Sequence, residues 1–402
     1  MRKADVLIVG GGAAGLMAAA AIGPRKSVIL IDGNPKYGKK LLATGNGRCN
    51  LTNLDIDPKY YHGDPLSKEV LQKVPAQRVL DVFEQTGLLC RADGEGRVYP
   101  RSLQAAAVLR ALERALPDSL LRLNELQITD LQRQDGGFLA AAQNGETVFA
   151  EKVLLACGGK ASPAHSSGSG YELAQSLGHH VTALSPSLAP LRVAGKVTRA
   201  LKGMRCRAAA TLYQNDKIIH AESGEVIFGD GQLSGICVFN LCARLRETGT
   251  DGVEVGLDLV PELEAQDLLA YFQRLCSTRP QLPAGEICSG LLNLRVGQEI
   301  AKAAGLSIDA PLESLREAQL NQITSLCKDW RFSVIGPAGW KDAQVTAGGV
   351  PLSEVELASM ESKLCPGLYL AGEILDADGD CGGYNLHWAW ATGLLAGEAL
   401  SC

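Results

Sequence analysis

The feature that most constrains this chain is a glycine-rich turn near its N-terminus. A short apolar run, Ala4 to Val9, leads into Gly10, and an alanine-rich helical pattern follows. Gly10, Gly12 and Gly15 satisfy the GxGxxG pattern in its proper setting between a strand and a helix. The first glycine permits a tight turn, the second lets the backbone approach a pyrophosphate, and the third lets helix and strand pack closely. The pattern predicts a βα unit that binds a dinucleotide.

A second strand pattern supports this prediction. Val28 to Ile31 has the composition of a buried strand and ends at Asp32, 22 residues after Gly10. The dinucleotide pattern expects an acid there, where it binds an adenosine ribose hydroxyl, and this acid favours FAD or NAD over NADP, whose 2′-phosphate it would repel. The first amides of the helix, at Ala13 and Ala14, are also predicted to contact this half of the cofactor. Gly33 is a further predicted contact.

Composition and charge narrow the class of protein. The chain is 46% hydrophobic and 21% charged, which predicts a globular protein, and its 402 residues predict roughly two or three domains. Its net charge of -5 argues against indiscriminate binding to nucleic acid or to an anionic membrane. The twelve cysteines show no CxxC or Cys/His metal spacing. With no signal peptide or membrane-spanning pattern, we expect a soluble, cytoplasmic protein with reduced thiols.

Three later segments favour FAD. They are Lys152 to Gly159, which is an apolar run ending in a glycine pair, Val345 to Val350, which contains a second pair, and Gly367 to Leu400. The last combines a strand, an acidic loop and a glycine-opened helix, which would hold the ribityl chain and present helix N-terminal amides to the flavin. The predicted cofactor contacts in these segments are Gly158, Gly159, Gly348, Gly349, Gly372, Glu373, Asp376, Gly382, Gly383, Tyr384 and Asn385.

The acidic loop from Asp376 to Asp380 does not predict a metal site. An EF-hand loop requires glycine at its sixth position and glutamate at its twelfth, where this chain has Cys381 and His387. We therefore expect no metal. In the helix that follows, Trp388 and Trp390 are predicted core residues.

The loop TGNGRCNLTN, Thr44 to Asn53, follows the acidic end of the second strand and the basic run KYGKK. That placement predicts that its glycines let the backbone come near the cofactor while polar side chains bind the cofactor or the surrounding loop. The predicted contacts are Lys40, Gly45, Gly47, Arg48, Cys49 and Asn50. Cys49, Cys381 and Tyr384 are candidate proton carriers, but a structural role is the favoured interpretation of both thiols.

Five segments of the chain are distinctive: MRKADVLIVGGGAAGLMAA, KKLLATGNGRCNLTN, LLACGG, VTAGGV and GEILDADGDCGGYNLHWAWATG. Together they resemble the BaiN/RdsA, or YhiN-like, family of NAD(P)/FAD-dependent oxidoreductases. They occur in the family's order, so the resemblance covers essentially the whole chain. GRCNLTN and CGGYNLHWAW are far more specific than the glycine pattern. One departure is visible, because Gly229 stands where many relatives carry threonine.

The resemblance implies an α/β fold, in which a Rossmann-like FAD-binding domain of the GR2 flavoprotein type is interrupted by an inserted β-rich domain and a small helical domain. Activities attributed to the family include reduction of a steroid carbon–carbon double bond, oxidation of a small aminoketone, and reduction of a ribosomal RNA uridine. Family membership therefore predicts the cofactor better than the substrate, since function depends on the site and not on the fold.

The middle of the chain contains the two predicted insertions. From about residue 190 the sequence becomes β-rich, with a hairpin turn expected at residues 215–217, and three helical patterns follow at EAQDLLAYFQRLC, AGEICSGLLNLRVGQEIAKAA and LESLREAQLNQITSLC. The predicted division is a first FAD-binding part (1–189), a β-rich domain (190–260), a helical insert (261–330), a return strand of the β-rich domain (331–343) and a second FAD-binding part (344–402).

Residues 173–215 contain no acid but carry six cations: Arg192, Lys196, Arg199, Lys202, Arg205 and Arg207. The stretch could be a solvated strand edge, or it could receive a phosphate-bearing partner, either NADPH or an RNA backbone.

The favoured hypothesis is an FAD-dependent reductase that takes electrons from NAD(P)H to an unsaturated small-molecule acceptor by hydride transfer through the flavin. The alternatives are an oxidase of a small amine or aminoketone that produces hydrogen peroxide, and an enzyme that forms dihydrouridine in ribosomal RNA.

Overall fold

The computed structural model describes all residues, Met1–Cys402. The chain forms two compact units. The first comprises Met1–Ser187 and Trp340–Cys402, and the second comprises Leu188–Gly339. The chain thus leaves the first unit once and returns to it once.

The strands, in chain order, are β1 (Arg2–Val9), β2 (Val28–Ile31), β3 (Thr52–Asn53), β4 (Tyr61–Gly63), β5 (Cys90–Ala92), β6 (Arg97–Pro100), β7 (Leu121–Leu123), β8 (Ile128–Gln134), β9 (Gly137–Ala142), β10 (Thr147–Leu155), β11 (Ser185–Ser187), β12 (Leu191–Val193), β13 (Arg205–Gln214), β14 (Lys217–Phe228), β15 (Gln232–Ser234), β16 (Val253–Asp258), β17 (Trp330–Pro337), β18 (Val345–Ala347), β19 (Val355–Glu356), β20 (Glu361–Ser362), β21 (Leu368–Leu370) and β22 (Ala377–Gly379).

The α-helices are α1 (Ala13–Ile22), α2 (Lys39–Ala43), α3 (Ser67–Lys73), α4 (Ala76–Gln85), α5 (Ala105–Ala115), α6 (Ser169–Ser176), α7 (Val197–Ala200), α8 (Ile236–Ala243), α9 (Leu245–Thr248), α10 (Ala265–Thr278), α11 (Leu294–Ala303), α12 (Glu317–Lys328) and α13 (Tyr384–Leu400). Short 3-10 helices are Thr44–Gly47, Pro58–Tyr60, Ala284–Glu286, Leu312–Ser314, Leu352–Glu354 and Gly372–Ile374.

A largely parallel sheet forms the centre of the first unit. Strands β21, β10, β1, β2 and β7 lie side by side and parallel, with β19 and β20 added antiparallel at one edge. Strand β9 pairs antiparallel with β10 on one side and with β8 on the other. Every residue of β2 is buried, as expected for a parallel strand that is covered on both faces. The carboxyl ends of β1 and β2 therefore open into the glycine-rich turn and into Asp32.

Two apolar helices, α1 and α13, pack closely against each other in the first unit. A Cβ atom on Gly393 would lie 2.4 Å from the carbonyl oxygen of Ala14, and one on Gly397 would lie 2.5 Å from that of Ala18. Because these are backbone atoms that cannot rotate away, glycine is required at both positions. Helix α13 is buried almost all round, as expected of a helix that is apolar on every face.

The second unit contains a closed six-stranded barrel in the order β12, β15, β14, β13, β16, β17. Strands β13 and β14 form its long hairpin, and Asn215 and Asp216 at the turn have φ values of 50° and 64°. Two positive φ values are typical of a two-residue turn that matches the twist of the strands. Helices α10, α11 and α12 lie between β16 and β17 in the chain. The predicted fold class, a Rossmann-like domain with inserted β-rich and helical parts, is confirmed.

One helical pattern is longer in the sequence than in the structure. The predicted helix over AGEICSGLLNLRVGQEIAKAA is divided into a 3-10 turn at Ala284–Glu286 and the helix α11. The side chain of Asn293 accepts a hydrogen bond from the amide of Arg295 and so starts α11 ten residues into the pattern. Apolar spacing alone does not reveal such a cap.

No helix in the structure is both long enough and apolar enough to cross a membrane.

Candidate functional site

The three glycines of the GxGxxG pattern have different surroundings. A Cβ atom on Gly10, where φ is 112°, would lie 2.3 Å from the carbonyl oxygen of Ala156, and one on Gly15 would lie 1.9 Å from that of Gly10. A Cβ atom on Gly12 would meet nothing within 4 Å. Gly10 and Gly15 are therefore required by packing of the protein on itself, whereas Gly12 faces open space.

Helix α1 begins directly after Gly12. No side chain caps its N-terminus, and its first turn, which contains Ala13 and Ala14, carries no acid. The first amides of a helix lack partners within the helix and, with the helix dipole, favour an anion. The open space at Gly12 thus lies beside a helix end that can bind a phosphate.

Asp32 is fixed at the end of β2 by two neighbouring segments. Its Oδ2 accepts a hydrogen bond from the amide of Gly11 (2.7 Å), and its Oδ1 accepts from the amide (2.7 Å) and the side-chain Nδ2 (3.0 Å) of Asn34. The carboxylate remains half-buried and retains acceptor capacity for a ribose hydroxyl. Gly33 is exposed, and its Cα faces the side chain of Gln127. Asn34 is not among the contacts predicted from the sequence, although it lies two residues after the acid.

The loop Thr44–Asn53 has an exposed part and a buried part. Gly45, Asn46 and Gly47 have φ values of 56°, 53° and 80°, and Cys49 has 57°. The left-handed region favours glycine and tolerates asparagine, which explains the composition of the loop. Gly45 to Arg48 are exposed, whereas the chain is buried at Cys49 and from Leu51 to Asn53.

The buried part of this loop is bound to the C-terminal segment. Three hydrogen bonds join the two: Trp390 Nε1 to the carbonyl oxygen of Leu51 (2.9 Å), Thr52 Oγ1 to His387 Nδ1 (2.9 Å), and Asn53 Nδ2 to the carbonyl oxygen of Gly382 (3.1 Å). The two most specific sequence motifs, more than 300 residues apart, therefore form one structural unit. Trp388 Nε1 donates to the carbonyl oxygen of Gly372 (3.1 Å), so both tryptophans are buried core residues with satisfied donors.

Asn50 faces the start of helix α13. Gly382 and Gly383 have φ values of 144° and 103°, and a Cβ atom on Gly383 would lie 2.8 Å from Asn50 Oδ1. That oxygen is buried and has no hydrogen-bond partner in the protein. A buried acceptor without a donor costs about 1–3 kcal/mol. Helix α13 has no side-chain cap and no acid in its first turn, so an unsatisfied acceptor and a positive helix end lie side by side.

Glu373 joins four segments of the first unit. Its Oε2 forms an ion pair with Lys40 Nζ (2.6 Å), and its Oε1 accepts from the amide of Thr346 (2.9 Å). Thr346 Oγ1 accepts from the amides of Lys160 (2.7 Å) and Ala161 (2.9 Å). A Cβ atom on Gly159 would lie 2.4 Å from Thr346 Oγ1, so this glycine is required by the same network. Thr346 is not among the contacts predicted from the sequence, although it lies within the segment VTAGGV.

The other glycines of the predicted site face the protein. Cβ atoms on Gly348 and Gly349 would lie 2.4 and 2.5 Å from carbonyl oxygens of Ala183 and Ile374. The Cα of Gly158, where φ is 72°, faces Ser166 Oγ, and that of Gly372 faces the Cβ atom of Ala14. Each lies in a turn that approaches another part of the first unit. Of these four glycines, Gly372 lies against the first turn of α1.

The acidic loop is buried and bound to hydroxyl and imidazole groups. Asp376 Oδ2 accepts from Thr182 Oγ1 (2.9 Å), Asp378 Oδ2 accepts from Ser187 Oγ (2.9 Å), and Asp380 Oδ1 pairs with His62 Nε2 (2.9 Å). The carboxamide of Asn385 bonds with both the amide (2.9 Å) and the carbonyl (2.6 Å) of Gly379 and so closes the loop. The structure contains no group of three or more His, Cys, Asp or Glu side chains arranged to hold a metal ion.

The candidate proton carriers differ in burial. Burial raises the pKa of the Cys49 thiol to about 12, and burial also raises the pKa of Tyr384 above its usual range. Both groups therefore keep their protons at neutral pH. The ring of Tyr384 stacks on Tyr60 with ring centroids 4.6 Å apart, and Cys381 is half-buried. Neither Cys49 nor Tyr384 is a base or an anionic nucleophile in this environment.

These residues fit FAD. Gly12 provides open space at the N-terminus of α1, Asp32 presents a carboxylate at the end of β2, and Asn50 Oδ1 lacks a donor at the N-terminus of α13. A flavin dinucleotide has a pyrophosphate, a ribose and polar ring groups that match these three features.

Comparison with solved structures supports the fold. A flavocytochrome c3 fumarate reductase in its open conformation superimposes with a TM-score of 0.51 at 16% identity, covering 100% of this chain and 78% of the other. A variant of E. coli quinol fumarate reductase gives a TM-score of 0.50 at 19% identity, covering 100% and 70%. At these identities the likeness shows the fold alone.

The chain belongs to the family described as HI0933-like protein Rossmann domain, whose model matches residues 4–399. It is 36% identical over 401 residues to a 3-dehydro-bile acid delta(4,6)-reductase of Clostridium scindens, covering 98% of both chains. It is 28% identical to the ribosomal RNA dihydrouridine synthase of Escherichia coli, covering 100% of this chain and 98% of the other. The family resemblance inferred from the sequence motifs is confirmed.

The hydrogen bonds of His387 define its protonation state. Its Nε2 lies 2.9 Å from the carbonyl oxygen of Val74, which can only accept, so Nε2 carries the proton and Nδ1 accepts from the Thr52 hydroxyl. Burial lowers the pKa of His387 to about 4. The folded protein therefore keeps this ring neutral at pH values where the unfolded chain, with a pKa of about 6.5, binds a proton.

We predict that His387 makes stability fall as the pH is lowered from about 6.5 towards 4. The unfolded state alone binds the proton in this window, so the free energy of unfolding should lose up to about 3 kcal/mol. The measurement is urea unfolding of the wild type and of His387→Gln at several pH values from 4 to 7.5. The stability advantage of the wild type should shrink as the pH falls, and an advantage that is constant with pH would refute this assignment.

Proposed function

We propose that this enzyme uses FAD to reduce a carbon–carbon double bond of a small unsaturated molecule with electrons from NADH or NADPH. The observation that carries the proposal is the uncapped N-terminus of α13 beside Asn50 Oδ1. FAD, when bound, supplies the hydride chemistry. The partial positive charge of the helix end would stabilise negative charge on the reduced ring. The bile acid reductase, similar over the whole chain, supports the acceptor class.

We propose that the cofactor is held by Gly12, the first amides of α1, Asp32, Asn50 and the N-terminus of α13. In the same proposal, Lys40 and Glu373 position the strand ends around it through their 2.6 Å ion pair. Cys49 serves as a buried structural residue, because its thiol remains protonated.

NAD(P)H as the donor is consistent with a single dinucleotide pattern. The chain contains one complete GxGxxG sequence, and we assign it to FAD. The nicotinamide nucleotide would then bind transiently, without a second glycine-rich turn.

A uridine of ribosomal RNA is a second candidate acceptor. Dihydrouridine is uridine with one ring double bond reduced, so the relative of that name points to the same reaction type. In the basic stretch, Arg199 and Lys202 pair with Asp230 (2.7 and 3.5 Å) and Arg205 pairs with Glu225 (3.0 Å). Three of the six cations thus have an acidic partner, although two of them share Asp230, and this pairing favours the small molecule over an RNA backbone.

We predict that Gly12→Val folds but binds FAD more weakly. A side chain at Gly12 meets no protein atom, and the backbone there, with φ of -82°, suits any L-residue. The new side chain would occupy the space that the pyrophosphate needs, so FAD affinity should fall by about tenfold or more, equivalent to about 1.4 kcal/mol. The measurement is the amount of FAD bound per chain after desalting, with circular dichroism to verify folding.

The matched control is Gly94→Val, because Gly94 also faces open space and lies in the exposed turn between β5 and β6. It should retain FAD as the wild type does. Full retention of FAD by Gly12→Val would contradict the placement of the pyrophosphate.

We predict that NADH or NADPH, added without oxygen, bleaches the visible absorbance of the FAD-loaded protein, and that a steroid with a conjugated double bond restores it. Stopped-flow absorbance measures both half-reactions, the reduction of the flavin by the nucleotide and its reoxidation by the steroid. Failure of both nucleotides to bleach the flavin would refute the reductase. Restoration by a ribosomal RNA transcript but not by the steroid would support the second acceptor. Bleaching by small amines with stoichiometric peroxide in air, and no response to nicotinamides, would support an oxidase instead.

A further inference from the structure

The segment that joins β10 to α6 passes beside Asp32. Asn34 Nδ2, which also binds Asp32 Oδ1, donates to the carbonyl oxygen of His165 (3.1 Å). Lys39 Nζ donates to the carbonyl oxygen of Ala164 (3.1 Å). One asparagine side chain thus bridges the predicted ribose acid and the backbone of His165.

Further bonds fix the conformation of this segment. The carbonyl oxygen of Ser162 accepts from the amides of His165 (2.8 Å) and Ser166 (3.3 Å), which closes a turn around His165. Ser162 Oγ donates to the carbonyl oxygen of Ala343 (3.1 Å). At the far end, Gln127 Nε2 donates to Ser169 Oγ (2.7 Å). The backbone at His165 is therefore held from both sides.

The side chain of His165 has an unexplained feature. Its Nδ1 atom is buried and has no hydrogen-bond partner in the protein. Buried polar atoms nearly always have a partner, and leaving one unsatisfied costs about 1–3 kcal/mol. Nδ1 of an imidazole can donate to an oxygen or a ring nitrogen, or accept from a hydroxyl or amino group. A ligand that reaches Asp32 would lie beside Asn34, whose side chain also binds the backbone of His165.

We propose that His165 Nδ1 forms a hydrogen bond with the adenosine half of FAD and so acts as a positioning residue that distinguishes FAD from FMN. This inference rests on the proposed binding of FAD with its ribose at Asp32. FMN lacks the adenosine and would leave Nδ1 unsatisfied. His165 would thus add to the preference for the dinucleotide that Gly12 and Asp32 already provide in the proposed site. The sequence gives no signal of it, because His165 lies outside every glycine motif.

The test measures binding of FAD, ADP and FMN to the full-length apoprotein by isothermal titration calorimetry. Replacement of His165 by Phe should weaken FAD and ADP by about 3- to 10-fold, the effect of one hydrogen bond, and should leave FMN unchanged. His165→Asn should restore affinity, because its amide nitrogen or oxygen lies near the position of Nδ1. His165→Gln, whose amide lies nearer the position of Nε2, should behave as the Phe variant does.

Three results would overturn the inference: unchanged FAD affinity in the Phe variant, equal losses for FAD and FMN, or no difference between the Asn and Gln variants. A purely structural role of His165 would give equal losses for both flavins. Wild-type protein that binds neither FAD nor ADP would refute the proposed function itself. The Asn variant also keeps the test valid if the Phe variant does not fold, as judged by circular dichroism.

Discussion

The close contact between α1 and α13 is the constraint on which the rest of the first unit depends. Gly393 and Gly397 lie against the carbonyl oxygens of Ala14 and Ala18, at distances that exclude any side chain. Because α1 follows the first strand and α13 ends the chain, this contact joins the two parts of the unit that the barrel and its helices separate. A methyl group at either glycine would force the helices apart, since the facing atoms belong to the backbone.

This contact also assembles the candidate site. Helix α1 brings the open turn at Gly12, and α13 brings Gly383 and, through Trp390 and His387, the loop that carries Asn50. The two helix N-termini are uncapped and have no acid in the first turn, so each has amides and partial positive charge to offer a ligand. A dinucleotide with a pyrophosphate and an electron-accepting ring matches two such helix ends.

Local patterns in the sequence were sufficient for the fold class and the family. The strand, turn and helix at residues 4–22 and the acid at Asp32 are local features, and the two specific motifs identify the family on their own. The residues that were missed act over long sequence distances: Thr346 binds Lys160, His387 binds Thr52, and Asn34 binds His165. The helix α11 was predicted too long because Asn293 caps it. The long-range partners have no spacing rule, and only the folded chain reveals them.

In the proposed function, segments from both ends of the chain form one FAD site. The most direct test is to purify the protein, record its visible spectrum, release any flavin by denaturation, and identify and quantify it by chromatography. We predict a flavin spectrum and one FAD per chain. Recovery of FMN, or protein that binds no flavin even after incubation with FAD, would contradict the account.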